Sequence, residues 1–174
     1  MEVLKRSGKT EKVSFDKITA RIKKLCYGLD SVHVDSIEIA KKVIQGLYDG
    51  VSTTELDNLA AETAASMAAH HPDYAQLAAR IAVSNLHKNT DKSFVNTMTA
   101  LHGYIDPKTG APAGLIGEET MGIIKKNSDQ LDSAIIYDRD YSFDYFGFKT
   151  LESCLLYTSP SPRDRTRSRM PSSA

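Results

Sequence analysis

Closely spaced cations are the residues of this chain best suited to chemistry. Lys5 and Arg6 stand side by side near the start, and Lys17, Arg21 and Lys24 follow at helical spacing. The phosphates of a nucleotide need such donors converging on them, with a contact for the base and a polar group at the ribose. Residues 1–30 carry eight Lys/Arg against four Asp/Glu, whereas residues 31–156 carry ten against seventeen, so an anion is drawn to the beginning of the chain. A basic helix stripe is nonetheless more often a solvated face than a ligand site. Lys5 and Arg6 also pose a geometric problem, because neighbours on a straight strand point to opposite faces. Both reach one ligand only if it lies across the strand's edge or end.

Other chemistries find less support. Neither G-x-x-x-x-G-K-[ST] nor G-x-G-x-x-G occurs, which speaks against catalytic nucleotide hydrolysis. His70-His71-Pro72-Asp73 lacks Cys or Glu partners at ligand spacing and reads as surface polar residues, so no metal site is expected. His87, beside Lys88, reads as a partner for a helix C-terminus. Cys26 falls at an apolar position and reads as a small hydrophobe, and Cys154 has no evident partner. No Ser/His/Asp constellation can be argued from spacing, and no catalytic residue is expected. At 41% hydrophobic and 25% charged residues the composition is that of a globular protein, which excludes collagen-like, mucin-like and wholly disordered chains. With no apolar run of 18 residues and no apolar stretch after the charged start, neither a membrane span nor a secretory signal is read; a cytoplasmic protein is expected.

The elements that must position these residues follow from periodicity. Glu2–Arg6 and Glu11–Phe15, with Val13 and Phe15 alternating against polar neighbours, flank the Gly-containing Ser7–Thr10 and predict a β-hairpin. Ile18, Ile22 and Leu25 then recur at helical spacing, with Gly28 where a helix C-terminus often needs a left-handed residue. Asp35-Ser36-Ile37-Glu38 has capping-box spacing and precedes Ile39, Val43 and Leu47, a second helix closed by Gly50. Ser52-Thr53-Thr54-Glu55 repeats the signature and opens a third helix reaching about Ala69. Pro72 begins a fourth, with Tyr74, Leu77, Ala78, Ile81 and Leu86 on an apolar face. The fold class expected is α+β, mainly α: a short hairpin or sheet capping a four-helix bundle over residues 1–90. Residues 91–152 read as further helices, one through Phe94, Met98 and Leu101, then a turn at Asp106–Gly110 and one or two helices over roughly 117–136. The aromatic residues Tyr141, Phe143, Tyr145, Phe146 and Phe148 need a packing partner that little remaining chain can supply, so this unit is expected to be incomplete. Residues 153–174, rich in Ser, Arg and Pro, are expected to be a disordered, non-native tail.

Taken together, Lys5-Arg6-Ser7-Gly8, Phe15-Asp16-Lys17-Ile18, Leu25-Cys26-Tyr27-Gly28-Leu29, Gly50-Val51-Ser52-Thr53, the run Glu55–Ala65 and His71-Pro72-Asp73-Tyr74 resemble the ATP cone of the large subunit of class I ribonucleotide reductase, the eukaryotic form in particular. Ala78–Lys88, Ser133–Asp140 and Tyr145–Glu152 extend the resemblance over nearly all of residues 1–152. It implies a module that binds ATP as activator or dATP as inhibitor, with Mg2+ accompanying the nucleotide. By the same resemblance Lys5, Arg6, Lys17, Thr53 and Lys88 would contact phosphates or sugar. Glu11 and the following strand, through Val13 and Phe15, would face adenine, and Asp57 would lie near the ribose. The triphosphate would lie between the hairpin and the helix ends. The family's enzyme makes deoxyribonucleotides for DNA synthesis by radical chemistry in a barrel, with a small radical-generating subunit as partner. Barrel, catalytic cysteines and redox-active pair have no counterpart in this sequence, so the chain by itself is expected to be inactive. Self-association through the cone is implied; no nucleic-acid or membrane partner is. Asp57→Asn is expected to disturb ATP/dATP discrimination more than the fold. The rival reading is a helical protein-interaction module without nucleotide preference, its basic start meeting an acidic partner.

Overall fold

The structure, a computed structural model, describes residues 1–153; the expected disorder of the tail and the surroundings of Cys154 lie outside the described residues. Two compact units are present, Met1–Val83 together with residues 141–153, and Ser84–Asp140. This division differs from one drawn at residue 90: the boundary falls within the fourth helix, and the last described segment belongs with the first unit.

In the first unit, β1 (Glu2–Leu4) pairs antiparallel with β2 (Thr10–Lys12), Val3 opposite Glu11, as the hairpin expectation requires. A third strand, β3 (Val51–Ser52), lies parallel on the other edge of β1, giving the order β2-β1-β3. Asp49 Oδ1 accepts from the Glu2 N–H at 2.6 Å and the Gly50 N–H donates to the Glu2 carbonyl at 2.9 Å, which fixes how β3 enters. Gly50 has φ +82°, so the sharp turn before β3 needs a residue without a Cβ.

The hairpin turn resolves the problem of adjacent cations. The Gly8 N–H donates to the Lys5 carbonyl, the Lys5 N–H donates to the Lys9 carbonyl, and Gly8 has φ +77°. This is a turn through Arg6 and Ser7 followed by a left-handed glycine, the usual three-residue hairpin loop. Arg6 therefore leaves the strand direction, and its side chain is released from the alternation that governs Lys5.

Four helices complete the unit's bundle. α1 (Phe15–Lys23) buries Ile18 and Ile22, and α2 (Ser36–Gln45) buries Ile39, Ala40 and Val43. α3 (Thr53–Ser66) buries Ala60, Ala61 and Ala64, and α4 (Asp73–Asn89) buries Tyr74, Leu77, Ala78 and Ile81. α2 packs against both α1 and α3. The alanine face of α3 keeps side-chain volume low and allows close approach, while each large aliphatic residue removed from water contributes about 1.5–3 kcal/mol.

The caps decide where these helices begin. At α2 the Asp35 carboxylate accepts from the Ile37 N–H, a simple cap rather than the reciprocal box suggested by the Asp35–Glu38 spacing. At α3 the box is complete: Ser52 Oγ accepts from the Glu55 N–H at 3.1 Å, and Glu55 Oε2 accepts from the Ser52 N–H at 2.9 Å. The backbone bond to Ser52, then its hydroxyl, hold the Glu55 carboxyl below its ordinary pKa. Gly28 does not close α1, which ends at Lys23. Its φ of +69° serves a separate turn in which the Leu29 N–H donates to the Cys26 carbonyl.

Beyond α4, the second unit contains α5 (Phe94–His102), α6 (Glu118–Lys126) and α7 (Ser128–Ala134), with α5 packed against the other two. Asp132 on α7 accepts from the Phe94 N–H at 2.7 Å and from the Ser93 hydroxyl at 3.0 Å, anchoring the start of α5. The turn expected at Asp106–Gly110 is present, with Asp106 Oδ1 accepting from the Lys108 N–H and an isolated bridge between Ile105 and Pro112. His87 pairs with Asp140 at 2.7 Å and packs edge-on against Tyr137, a more specific setting than a helix C-terminus alone.

α8 (Tyr145–Leu151) belongs to the first unit, where Tyr145 and Phe148 are buried. The aromatic segment thus has a partner surface within residues 1–83, contrary to the expectation that it lacked one. Phe143 and Phe146 remain exposed.

Candidate nucleotide-effector site

Two charge bridges lie between the hairpin and α1. In the outer one, Glu11 of β2 forms ion pairs with Lys5 and with Lys17. In the inner one, Asp57 of α3 stands between Arg6 and Arg21: Arg6 Nη2 meets Asp57 Oδ2 at 3.4 Å, and Arg21 Nε meets Asp57 Oδ1 at 3.3 Å. Local structure explains the pairing. Lys5 and Arg6 are consecutive but separated in direction by the turn, and Lys17 and Arg21 are one turn apart on a single face of α1. Each bridge therefore takes one cation from the hairpin and one from the helix.

The bridges differ in exposure. Asp57 is only 4% exposed, so its charge is supported by two guanidinium groups rather than by water. The Glu11 side chain is 27% exposed and that of Lys17 is 70% exposed, so the outer bridge is open to exchange with solvent ions. The arginine contacts exceed the 2.7–2.9 Å of a tight charge-assisted bond. Four cations against two carboxylates leave an excess of two positive charges at this edge.

Thr53 completes the cluster. It occupies the first position of α3, four residues before Asp57 and on the same face, and Arg6 Nη1 reaches its hydroxyl at 3.5 Å. The positive end of the α3 dipole therefore opens toward the cations. Its capping box already takes the N–H groups of Ser52 and Glu55, so the side chains supply most of the attraction for an anion.

Of the expected residues, the structure brings Lys5, Glu11 and Lys17 together in one bridge, and Arg6, Thr53 and Asp57 in the other. Val13 is half-buried after β2, its N–H bonded to the Met1 carbonyl, and Phe15 is exposed at the start of α1. Lys88 stands on the last turn of α4, within the second unit. Arg21 joins the cluster as well, although the sequence marks it only as a member of the basic stripe shared with Lys17. Its link to Asp57 spans 36 residues and becomes evident only once α1 and α3 are folded together.

The model of the ATP cone domain matches residues 1–89, which hold both bridges and Thr53. The chain belongs to the ATP-cone family. Its sequence is also 62% identical over 156 residues to the ribonucleoside-diphosphate reductase large chain of Schizosaccharomyces pombe, covering 90% of this chain and 19% of that protein. It is 62% identical to the large subunit of Caenorhabditis elegans over 88% of the chain and 20% of the relative, and 59% identical to that of vaccinia virus over 90% and 20%. The chain spans about a fifth of the length of these curated relatives. The ATP-cone match takes in the hairpin, α1 and α3, so the elements that build the charge bridges lie within it. Among the described residues no helix is long and apolar enough to cross a membrane.

Proposed function

We propose that residues 1–89 bind an adenine nucleotide as an allosteric effector, and that the chain senses the ATP to dATP balance as a regulatory part of a ribonucleoside-diphosphate reductase large subunit. The observation carrying this reading is the ATP-cone match over the stretch that contains both charge bridges. The likeness to ribonucleoside-diphosphate reductase large subunits supplies the enzyme to be regulated; the resemblance implies one that makes deoxyribonucleotides with a small radical-generating subunit as partner. The interaction-module reading has no comparable support.

In this reading the triphosphate meets Lys5 and Lys17 first, because Glu11 holds them at the surface without burying them. Each ammonium exchanges a carboxylate for phosphate oxygens, and Glu11 is freed toward the base as Val13 and Phe15 flank it. Arg6 and Thr53 form the floor under the phosphates. Asp57, with both oxygens facing arginines, positions Arg6 and Arg21; it reaches a ribose only if one guanidinium yields an oxygen. Lys88 is retained as a further sugar or phosphate contact on the resemblance alone. The donor set fits a nucleotide triphosphate: cations and a helix N-terminus suit phosphates, while Asp57 is committed to two arginines and Glu11, once released, faces the base. Mg2+ would accordingly be held chiefly by the phosphates and carried in with them.

Calorimetric titration with ATP and dATP, each with Mg2+, tests the reading. Both nucleotides are expected to saturate and to compete for one site. Lys5→Ala or Lys17→Ala should weaken each by about 1.5–3 kcal/mol, roughly ten- to a hundredfold in Kd. No saturable response from a folded chain, or unchanged affinity in both variants, would overturn it.

A further inference from the structure

A second cluster of chemically capable side chains lies away from the charge bridges. Asp30, His33 and His71 each direct one ligand atom into a common space, all within 4.8 Å of one another. The Val34 N–H donates to the Asp30 carbonyl at 2.9 Å, closing a single helical turn that puts Asp30 and His33 on one face. His71 comes from the loop preceding α4. Its Nε2 and the Nδ1 of His33 approach the same oxygen, Asp30 Oδ2, at 4.0 Å and 2.7 Å. The two imidazoles are stacked, with centroids 4.9 Å apart and planes 7° from parallel.

The two segments are held together by bonds outside the cluster. The Asp30 N–H donates to Asp73 Oδ2 at 2.8 Å, and the Asp35 N–H donates to the Tyr74 hydroxyl at 3.1 Å. The fold thus brings the segments carrying the three ligand groups together, in addition to the contacts the groups make with one another. We propose that Asp30, His33 and His71 form a binding site for a divalent transition-metal ion of the zinc type, bridging the loop after α1 to the start of α4.

The chemistry selects the ion. Two imidazole nitrogens and one carboxylate oxygen suit Zn2+ and its neighbours, whereas Mg2+ and Ca2+ prefer oxygen shells. Zinc bonds of about 2.0–2.2 Å in a tetrahedron place donor atoms roughly 3.3–3.6 Å apart. The observed 2.7 Å and 4.0 Å bracket that spacing, and rotation of the side chains equalises them. His33 turns its ring out of the stack so that both lone pairs converge. His71 Nδ1 accepts from the Asp73 N–H at 3.3 Å, so coordination through Nε2 exchanges that bond for a ring proton on Nδ1, with Asp73 Oδ1 3.9 Å away. His33 is exposed, so the fourth position is open to water.

The test uses the full chain with Cys26→Ser and Cys154→Ser, which removes thiol ligands, titrated with Zn2+ against a chromophoric chelator. One Zn2+ per chain with Kd on the order of micromolar or tighter is expected, with a rise in Tm that Mg2+ and Ca2+ do not reproduce. His33→Ala and His71→Ala should each weaken binding at least about tenfold, as loss of a ligand requires. His70→Ala, the adjacent histidine outside the cluster, should leave it unchanged. Co2+ in place of Zn2+ should give visible d–d bands that disappear in His33→Ala. Absence of stoichiometric binding by a chain shown to be folded by circular dichroism, binding that survives both variants, or equal loss in His70→Ala would overturn the site.

Discussion

Asp57 holds two guanidinium groups at once, and its near-complete burial changes what its substitution reports. Removing the charge while keeping the volume leaves Arg6 and Arg21 with a neutral acceptor that can satisfy them only in part. Asp57→Asn should therefore cost about 1–3 kcal/mol of stability, the usual range for disturbing a buried polar partnership, besides any effect on nucleotide discrimination. Thermal unfolding without and with ATP separates the two effects. A lower Tm without nucleotide would establish the positioning role, and an unchanged Tm with altered ATP/dATP preference would return Asp57 to the ribose. The cations themselves were legible in the sequence, because Lys5, Arg6 and Lys17 are close along the chain and share one sign. Their carboxylate partners were not. Glu11 was expected to face adenine, and nothing in its local sequence shows that Lys5 and Lys17 fold onto it from either side.

Among the elements, α3 is the one whose start the sequence declares most directly. Ser52 and Glu55 stand at the required spacing, and both bonds of the box are formed. Ser52→Ala should lower stability by about 1 kcal/mol, seen as a reduced Tm at neutral pH. The Glu55 carboxyl is held below its ordinary value, so its contribution is present above about pH 4.5 and is lost as the pH falls through the lowered folded value. A Glu55→Gln variant should accordingly be less stable than the parent at pH 7 and converge on it in acid, as Tm measured across pH would show. A constant difference at every pH would mean that charge at this position contributes nothing. Element types were readable wherever hydrophobic periodicity ran long enough, as through Ile39, Val43 and Leu47. β3 was missed because two residues establish no period, and its pairing with β1 depends on Glu2 and Asp49 meeting across 47 residues. Gly28 was read as a helix cap when it serves a turn, since a positive φ is demanded equally by both.

On the scale of the whole molecule, α8 determines what the first unit needs in order to be complete. Tyr145 and Phe148 are buried there, the Tyr141 carbonyl accepts from Gln76 Nε2 on α4 at 3.2 Å, and Glu62 of α3 is close enough to influence Tyr145. The segment thus meets α4 through Gln76 and lies near Glu62 of α3, although more than fifty residues and a separate compact unit intervene in the chain. No local pattern in the sequence links an aromatic run to helices so far upstream. If α8 is part of the unit's packing, Phe148→Ala removes a buried ring and should destabilise it by about 3–5 kcal/mol. Hydrogen exchange locates that loss. Amides of α3 around Ala60–Ala64 and of α4 around Leu77 should exchange faster in the variant, while those of α5 and α6 keep their parental rates. Faster exchange limited to α8 itself would instead make it a detachable flap, and the helices carrying Thr53 and Asp57 would owe it nothing.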